Sequence, residues 1–310
     1  MRAAVFAYQE IGFVCLEELL RANVEISCLF THEDDPGEEI WFRTPATLAR
    51  GRDIPVYTPD VIRDENWVSL IRGYNPDVIF SFYYRKMIPN VILEIPRIGA
   101  FNLHGSLLPK YRGRCPVNWV ILAGEEKTGV TLHYMVEKPD AGDIIAQREV
   151  PIAFDDDVLA VYRKMIDAAR LLMRETLPQI ISGTFTGKPQ TGPSSYFGGR
   201  GPEDGYIDWG KDARSIYNLV RAVTHPYPGA FTYLDGQKFF IWKAYPEQTD
   251  VKVDSEAPVG TVLSDAPVLI KTGSGLLRLI SVQPEGGEEM DAVNFASTHG
   301  IKNKKLGGHT

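Results

Sequence analysis

The chain has 310 residues, room for one large or two ordinary domains. Its composition of 44% apolar, 24% charged and 11% aromatic residues is that of a globular protein and excludes disorder, collagen and coiled coil over most of the length. A net charge of −7 argues against a protein that wraps nucleic acid, and three scattered cysteines (Cys15, Cys28, Cys115) argue against a disulfide framework or a zinc site.

The first half alternates strand and helix signals. AAVFAY (3–8) reads as a buried strand, and IGFVCLEELLRA (11–22) as a helix with Leu16, Leu19 and Leu20 on one face. EISCLFT (25–31) is a strand, VSLIRGY a helix, and DVIFSFYY (77–84) and IGAFNLH (98–104) are further strands. Strands separated by helical segments predict βαβ units and a parallel sheet. GVTLHYMV (129–136) and DIIAQREV (143–150) follow each other closely, which suggests an antiparallel pair at one end. Asp155, Asp156 and Asp157 supply an N-cap cluster for a long helix. Its apolar face is drawn by Leu159, Tyr162, Ile166, Ala169, Leu172 and Met173, and Gly183 is its C-cap.

From 184 to 205 the chain turns rich in Gly, Pro, Ser and Thr and reads as a linker. DARSIYNLVRAV is then a helix capped by Asp212, and Asp235-Gly236 marks a hairpin. Short strands continue towards the end, and together they predict a small β-barrel. The expected organisation is an α/β catalytic domain over 1–188, a linker over 189–205 and a second domain over 206–310. No apolar run approaches the ~20 residues of a membrane helix. The N-terminus MRAAVFAYQEIGF lacks a signal-peptide core, so a cytoplasmic location without membrane association is expected.

The turn after the first strand, YQEIGF, holds only Gly12 where a dinucleotide site needs GxGxxG, and no GxxxxGK[ST] occurs, so NAD and ATP are poor expectations. The densest polar signal is FNLHGSLLPKYRGRCPVN. Asn102 and His104 stand two apart at the C-terminal end of a strand, so alternation sends both side chains to one face, while Phe101 and Leu103 turn to the core. That sheet edge is where such folds bind ligands. An amide donor beside an imidazole can stabilise an oxyanion and move a proton. Asp140, in the loop VEKPDAGDI, is placed to orient His104 and favour its charged form; taken alone, it also suits a turn residue. Asp143 competes for the role, and His133 and His225 read as structural.

These residues carry a family likeness. FNLHGSLLPKYRGR with Asn102 and His104, and TGVTLHYMVEKPDAGDII with Asp140, resemble the folate-dependent formyltransferases, which act on methionyl-tRNA, glycinamide ribonucleotide or amino sugars. Within that family the chain is most similar to the formyltransferase part of the bifunctional polymyxin-resistance proteins. FAYQEIGFVCLEELL, FTHEDDPGE, DVIFSFYYRKMI, FGGRGPEDG and VRAVTHPYPGAF extend the likeness from residue 1 to about 285.

The resemblance implies a Rossmann-like domain followed by an OB-like domain, and catalysis by Asn102, His104 and Asp140 without a metal. It implies N10-formyltetrahydrofolate as formyl donor, held by Lys86, Met87, Ile88, Arg114 and the loop Val136, Glu137, Lys138 and Pro139. It implies UDP-4-amino-4-deoxy-L-arabinose as acceptor, with Tyr111 and Arg200 as nucleotide-sugar contacts, and hence a part in lipid A modification. The chain stops at Thr310, so the decarboxylase activity of the bifunctional proteins is expected to be absent.

Methionyl-tRNA formyl transfer is the main rival. Where a tRNA enzyme of this type carries a basic insertion, this chain has Glu33, Asp34, Asp35, Glu38 and Glu39, and charges nearly balance over 206–310. Those features favour a small nucleotide sugar over nucleic acid. A non-enzymatic nucleic-acid binder would interleave basic residues with its strand aromatics, and FTYLDGQKFFIWK offers two lysines. Cys115 also permits a Cys–His acyl transfer, but direct transfer needs no covalent intermediate.

Overall fold

The computed structural model describes residues 1–34, 40–247 and 256–308. The chain forms two compact units whose segments interleave. The first comprises Met1–Pro116, Lys127–Pro151 and Val161–Gly198; the second comprises Val117–Glu126, Ile152–Ala160 and Gly199–Thr310.

The first unit is built on a seven-stranded sheet. Its βαβ start is β1 (Arg2–Ala7), α1 (Gln9–Arg21) and β2 (Glu25–Phe30). After them come α2 (Pro45–Arg50), β3 (Val56–Tyr57), α3 (Glu65–Tyr74), β4 (Val78–Phe82), α4 (Asn90–Leu93) and β5 (Gly99–His104). The two-residue β6 (Arg112–Gly113) and then the short α5 (Pro116–Leu122), which from Val117 onward belongs to the second unit, precede β7 (Lys127–Tyr134) and β8 (Ile144–Pro151) in the chain. The strand order is β3-β2-β1-β4-β5-β7-β8. The first five strands are parallel, as continuous apolar runs such as AVFA and VIFSF require when both faces are covered. β7 and β8 add antiparallel at the edge, as the short gap between them predicts.

The long helix α6 (Val158–Ser182) begins where Asp157 Oδ1 accepts the Ala160 N–H at 2.8 Å. It ends at Gly183, whose φ of +71° is a helix-stop geometry. Its buried stripe includes Tyr162, Ala169, Leu172 and Met173 of the predicted face and widens to Val158, Val161 and Met165, while Leu159 and Ile166 lie at its margin. In α1 the buried face includes a carboxylate, Glu18, which accepts from Arg170 and Arg174 of α6. The Gly- and Pro-rich stretch is bound to this unit. Lys188 pairs with Ile144, and β9 (Tyr196–Phe197) pairs in parallel with β6.

In the second unit a 3-10 turn over Pro202–Gly205 leads to α7 (Ala213–Val223), where Asp212 Oδ1 accepts from the Ser215 N–H at 2.9 Å. β10 (Ala230–Leu234) and β11 (Gln237–Glu247) form the hairpin that Asp235-Gly236 predicts, with φ of +52° and +80° at its two turn residues. β12 (Val262–Asp265), β13 (Val268–Lys271) and β14 (Leu276–Pro284) complete an antiparallel sheet in the order β10-β11-β14-β13-β12. β15 (Met290–Asp291) pairs with β14, and α8 (Ala292–His299), absent from the predicted elements, follows it. No helix among the described residues is long and apolar enough to cross a membrane.

Candidate active site

The pleat of β5 does what its sequence predicts. Phe101 and Leu103 are buried on one face, and Asn102 and His104 project from the other. The antiparallel neighbour β7 sets His133 opposite Asn102 and Thr131 opposite His104. Asp140 reaches the same place from the loop after β7, in a left-handed turn conformation with a φ of +53°. Three predicted catalytic residues therefore converge, and His133 joins them.

Asp140 is the hub. Its Oδ1 lies 3.4 Å from Asn102 Nδ2, 3.6 Å from His104 Nδ1 and 3.5 Å from His133 Nε2. Its Oδ2 accepts the Gly113 N–H at 2.9 Å. Burial works against its charge, yet positive charge on the His104 and His133 rings whenever they are protonated, together with the Gly113 N–H, outweighs burial and holds its pKa well below the usual carboxylate range.

The partners of each ring fix its tautomer. His104 Nε2 lies 2.8 Å from the Tyr111 carbonyl oxygen, which can only accept, so Nε2 carries the hydrogen and the bare nitrogen of the neutral ring is Nδ1. His133 Nδ1 donates to its neighbour Tyr134's carbonyl at 2.7 Å, so His133 Nε2 accepts from Asn102 Nδ2 at 3.2 Å. His104 is 6% exposed. Burial pushes its pKa below the ordinary value of 6.5, against an upward pull from Asp140 and the Tyr111 carbonyl. The site thus holds a buried neutral imidazole with its lone pair beside a carboxylate and an amide donor.

The loop that brings Tyr111 to His104 is tied down by Thr131. Thr131 Oγ1 donates to the Ser106 carbonyl at 2.6 Å and accepts the Leu108 N–H at 3.2 Å. Tyr111 itself sits at a φ of +57° with its ring stacked on Phe197 at 5.1 Å. Cys115 has a φ of +53° and is half-buried.

The other predicted site residues have definite places. Lys86 Nζ donates to the carbonyls of Pro59 and Asp60, at 2.6 and 2.9 Å, and Ile88 is buried in the core. Met87 and Val136 are exposed, at 62% and 44%, as are Arg114, Glu137 and Lys138; Pro139 is half-buried. Arg200 belongs to the second unit, where its guanidinium lies 4.7 Å over the Trp119 ring and donates to the Asp204 carbonyl at 2.8 Å. Of the acidic run, Glu33 accepts from Thr58 and Asp34 from Tyr8, while Asp35, Glu38 and Glu39 lie outside the described residues. No group of three or more His, Cys, Asp or Glu among the described residues is arranged to hold a metal ion.

Sequence reasoning reads His133 as a strand residue and misses its place opposite Asn102. The missing signal is the β5–β7 register, a long-range fact that neither strand's own pattern contains.

Comparison with known proteins places the sequence in a family. The "Formyl transferase" family model matches residues 8–177, and the "Formyl transferase, C-terminal domain" model matches 201–300. Among solved structures the chain is similar to WlaRD, a sugar 3N-formyl transferase determined in the presence of dTDP and 5-N-formyl-THF. The identity is 21%, over 92% of this chain and 97% of that one, with a TM-score of 0.65. It is also similar to the N-formyltransferase of Helicobacter canadensis in complex with folinic acid and dTDP-3-aminofucose. That match has 20% identity, over 89% and 98% of the two chains, and a TM-score of 0.64. HypX from Aquifex aeolicus in complex with tetrahydrofolic acid matches at 21% identity over 98% of this chain, with a TM-score of 0.64. This chain spans 48% of the HypX chain. At these identities the solved structures share the fold; the family models, matching both parts of the sequence, show that the chain belongs to the formyl transferase family.

Proposed function

We propose that the chain transfers a formyl group from N10-formyltetrahydrofolate to the amine of a nucleotide-linked amino sugar, with UDP-4-amino-4-deoxy-L-arabinose as the first acceptor to test. The observation that carries this reading is the convergence of Asn102, His104 and Asp140 at the C-terminal end of β5. Solved relatives of the same fold hold folates and dTDP or a dTDP-sugar, which supports this substrate class.

The donor supplies an activated formyl carbon; as the amine's new C–N bond forms through a tetrahedral oxyanion the amine sheds a proton, and as that oxyanion collapses the formyl C–N10 bond breaks and tetrahydrofolate leaves with a proton on N10. His104 is suited to receive the amine's proton, because burial keeps the ring neutral and its Nδ1 is bare. The imidazolium so formed would lie between two acceptors, the Tyr111 carbonyl and Asp140. Asn102 is the donor for the developing oxyanion. Its 3.4 Å contact with Asp140 is the weaker of its two amide bonds and the one a stronger acceptor would replace. Exposed Met87 and Val136 offer apolar contacts to a folate ring. The Lys86 side chain is engaged with backbone, so backbone groups of Lys86 to Ile88 are the folate contacts proposed there. Tyr111 and Arg200 remain the proposed sugar-nucleotide contacts.

The test is direct. The protein is incubated with N10-formyltetrahydrofolate and, separately, UDP-4-amino-4-deoxy-L-arabinose, dTDP-linked amino sugars and methionyl-tRNA, and tetrahydrofolate release and formylated product are followed. Formylation of a sugar nucleotide is expected. Turnover with methionyl-tRNA alone would overturn the acceptor assignment. Asn102→Ala and His104→Ala should each fold and lose roughly 10²–10³ in turnover.

A further inference from the structure

The stretch 188–197 has the composition of a linker, yet its one long amide side chain is fully engaged beside the catalytic loop. Gln190 Nε2 donates to the carbonyls of Asp140 and Gly142, at 2.8 and 2.7 Å. Its Oε1 accepts from Nε and Nη2 of Arg112, at 3.2 and 2.6 Å. One carboxamide therefore joins the two loops that make the site: the turn carrying Asp140, and β6, whose Gly113 N–H binds the Asp140 carboxylate. The backbone on either side repeats the link. Arg112 N–H donates to the Ser195 carbonyl and Arg114 N–H to the Phe197 carbonyl, each at 3.0 Å.

We propose that Gln190 is a positioning residue for Asp140, acting through the loop carbonyls to fix where that carboxylate stands against His104 and Asn102. Three features support the role. Gln190 bonds the Asp140 carbonyl directly and the Gly142 carbonyl beside it, spanning the turn that carries the carboxylate. The charged Arg112 guanidinium fixes which end of the amide faces the loop, because only the oxygen can accept from it. Ser195 Oγ accepts the Tyr111 N–H at 2.8 Å, so the same strap also holds the residue whose carbonyl orients His104. The inference rests on the formyl-transfer reading for its effect on rate, but its effect on His104 stands apart from any substrate.

Two readouts separate positioning from packing. The first is the titration of His104, followed by NMR of its imidazole without substrate. Burial pushes the pKa of that ring down, Asp140 and the Tyr111 carbonyl pull it up, and His133 and Arg112 push it down. Asp140→Asn should lower the His104 midpoint. Gln190→Ala should lower it in the same direction by releasing the carboxylate. Gln190→Glu keeps an acceptor for Arg112 but presents oxygen to the two loop carbonyls, and it should behave as Gln190→Ala.

The second readout is turnover of N10-formyltetrahydrofolate with UDP-4-amino-4-deoxy-L-arabinose. Misplacing a catalytic group by about 1 Å can cost ~10²-fold, so kcat should fall by about one to two orders while the KM values move little. A His104 midpoint that moves in Asp140→Asn but stays at the wild-type value in both folded Gln190 variants would overturn the proposal. So would a Gln190→Glu variant with wild-type titration and turnover, which would leave Gln190 a partner of Arg112 alone. Absence of turnover in the wild type would count against the functional reading and leave the titration test intact.

Discussion

At the scale of single residues, the site's pH dependence follows from His104. In the proposed reaction His104 acts as the neutral base, and burial lowers its pKa below the ordinary 6.5. A lowered base pKa keeps the active form populated as pH falls, so the acid limb of kcat should have its midpoint below the ordinary 6.5. Asp140 pulls the other way and stabilises the imidazolium formed in the transfer. In Asp140→Asn the acid limb should therefore move to still lower pH while the plateau rate drops. A pH–rate profile whose limb stands above 6.5, or rises in Asp140→Asn, would remove His104 as the base. The sequence shows Asn102 and His104 together because two residues of spacing in one strand define a face. Asp140 is legible as a turn residue and, through family likeness, as a candidate catalytic one; its contacts with Gly113 and Asn102 are not, because they cross 27 and 38 residues of chain. His133 illustrates the same limit. Its strand is readable, its neighbour across the sheet is not.

Among the elements, those whose signal is local are legible: the capped start of α6 at Asp157, its stop at Gly183, the Asp212 cap of α7 and the Asp235-Gly236 hairpin. The elements that sequence misses are two-residue strands and short helices whose stability comes from distant contacts. β6 is the clearest case. It exists because Gly113 stands at a φ of +97° against β9, where an added Cβ would come within 2.2 Å of the Phe197 carbonyl oxygen. Gly113→Ala thus meets both a left-handed backbone cost of ~1–2 kcal/mol and a collision with main chain that no rotamer relieves. Because the Gly113 N–H binds Asp140, the strain falls on the catalytic loop. The variant should lose ~2 kcal/mol or more of unfolding free energy, read from a denaturant midpoint at unchanged slope, and turnover should fall with it. An unchanged midpoint would show that β6 and β9 yield more easily than their register implies.

At the scale of the whole molecule, composition marks the Gly- and Pro-rich stretch but cannot say which distant strands it binds or that the units interleave. Segments 117–126 and 152–160 lie early in the chain and belong to the second unit. Their polar groups are satisfied there: Asn118 Nδ2 donates to the Ala222 carbonyl at 2.8 Å, Tyr217 Oη donates to the Phe154 carbonyl at 2.5 Å, and Arg221 donates to the Asp156 carbonyl at 2.9 Å. Val117, Val120, Ile121 and Ile152 are all buried. A chain ending at Gly198 keeps these residues and loses Gly199–Thr310, the rest of the unit they belong to. Burial of an aliphatic side chain is worth ~1.5–3 kcal/mol, so exposing several of the four would remove an amount comparable with the ~5–15 kcal/mol that holds a typical domain. The fragment 1–198 contains Asn102, His104, Asp140 and Gln190, yet it is expected to aggregate, bind a hydrophobic dye and unfold without a cooperative transition. Cooperative unfolding of that fragment at the midpoint of the full chain, with no dye binding, would show that the early segments do not depend on the second unit. Joining 117–126 and 152–160 to the later residues makes the formyltransferase chain one folding problem, even where its composition suggests a place to cut.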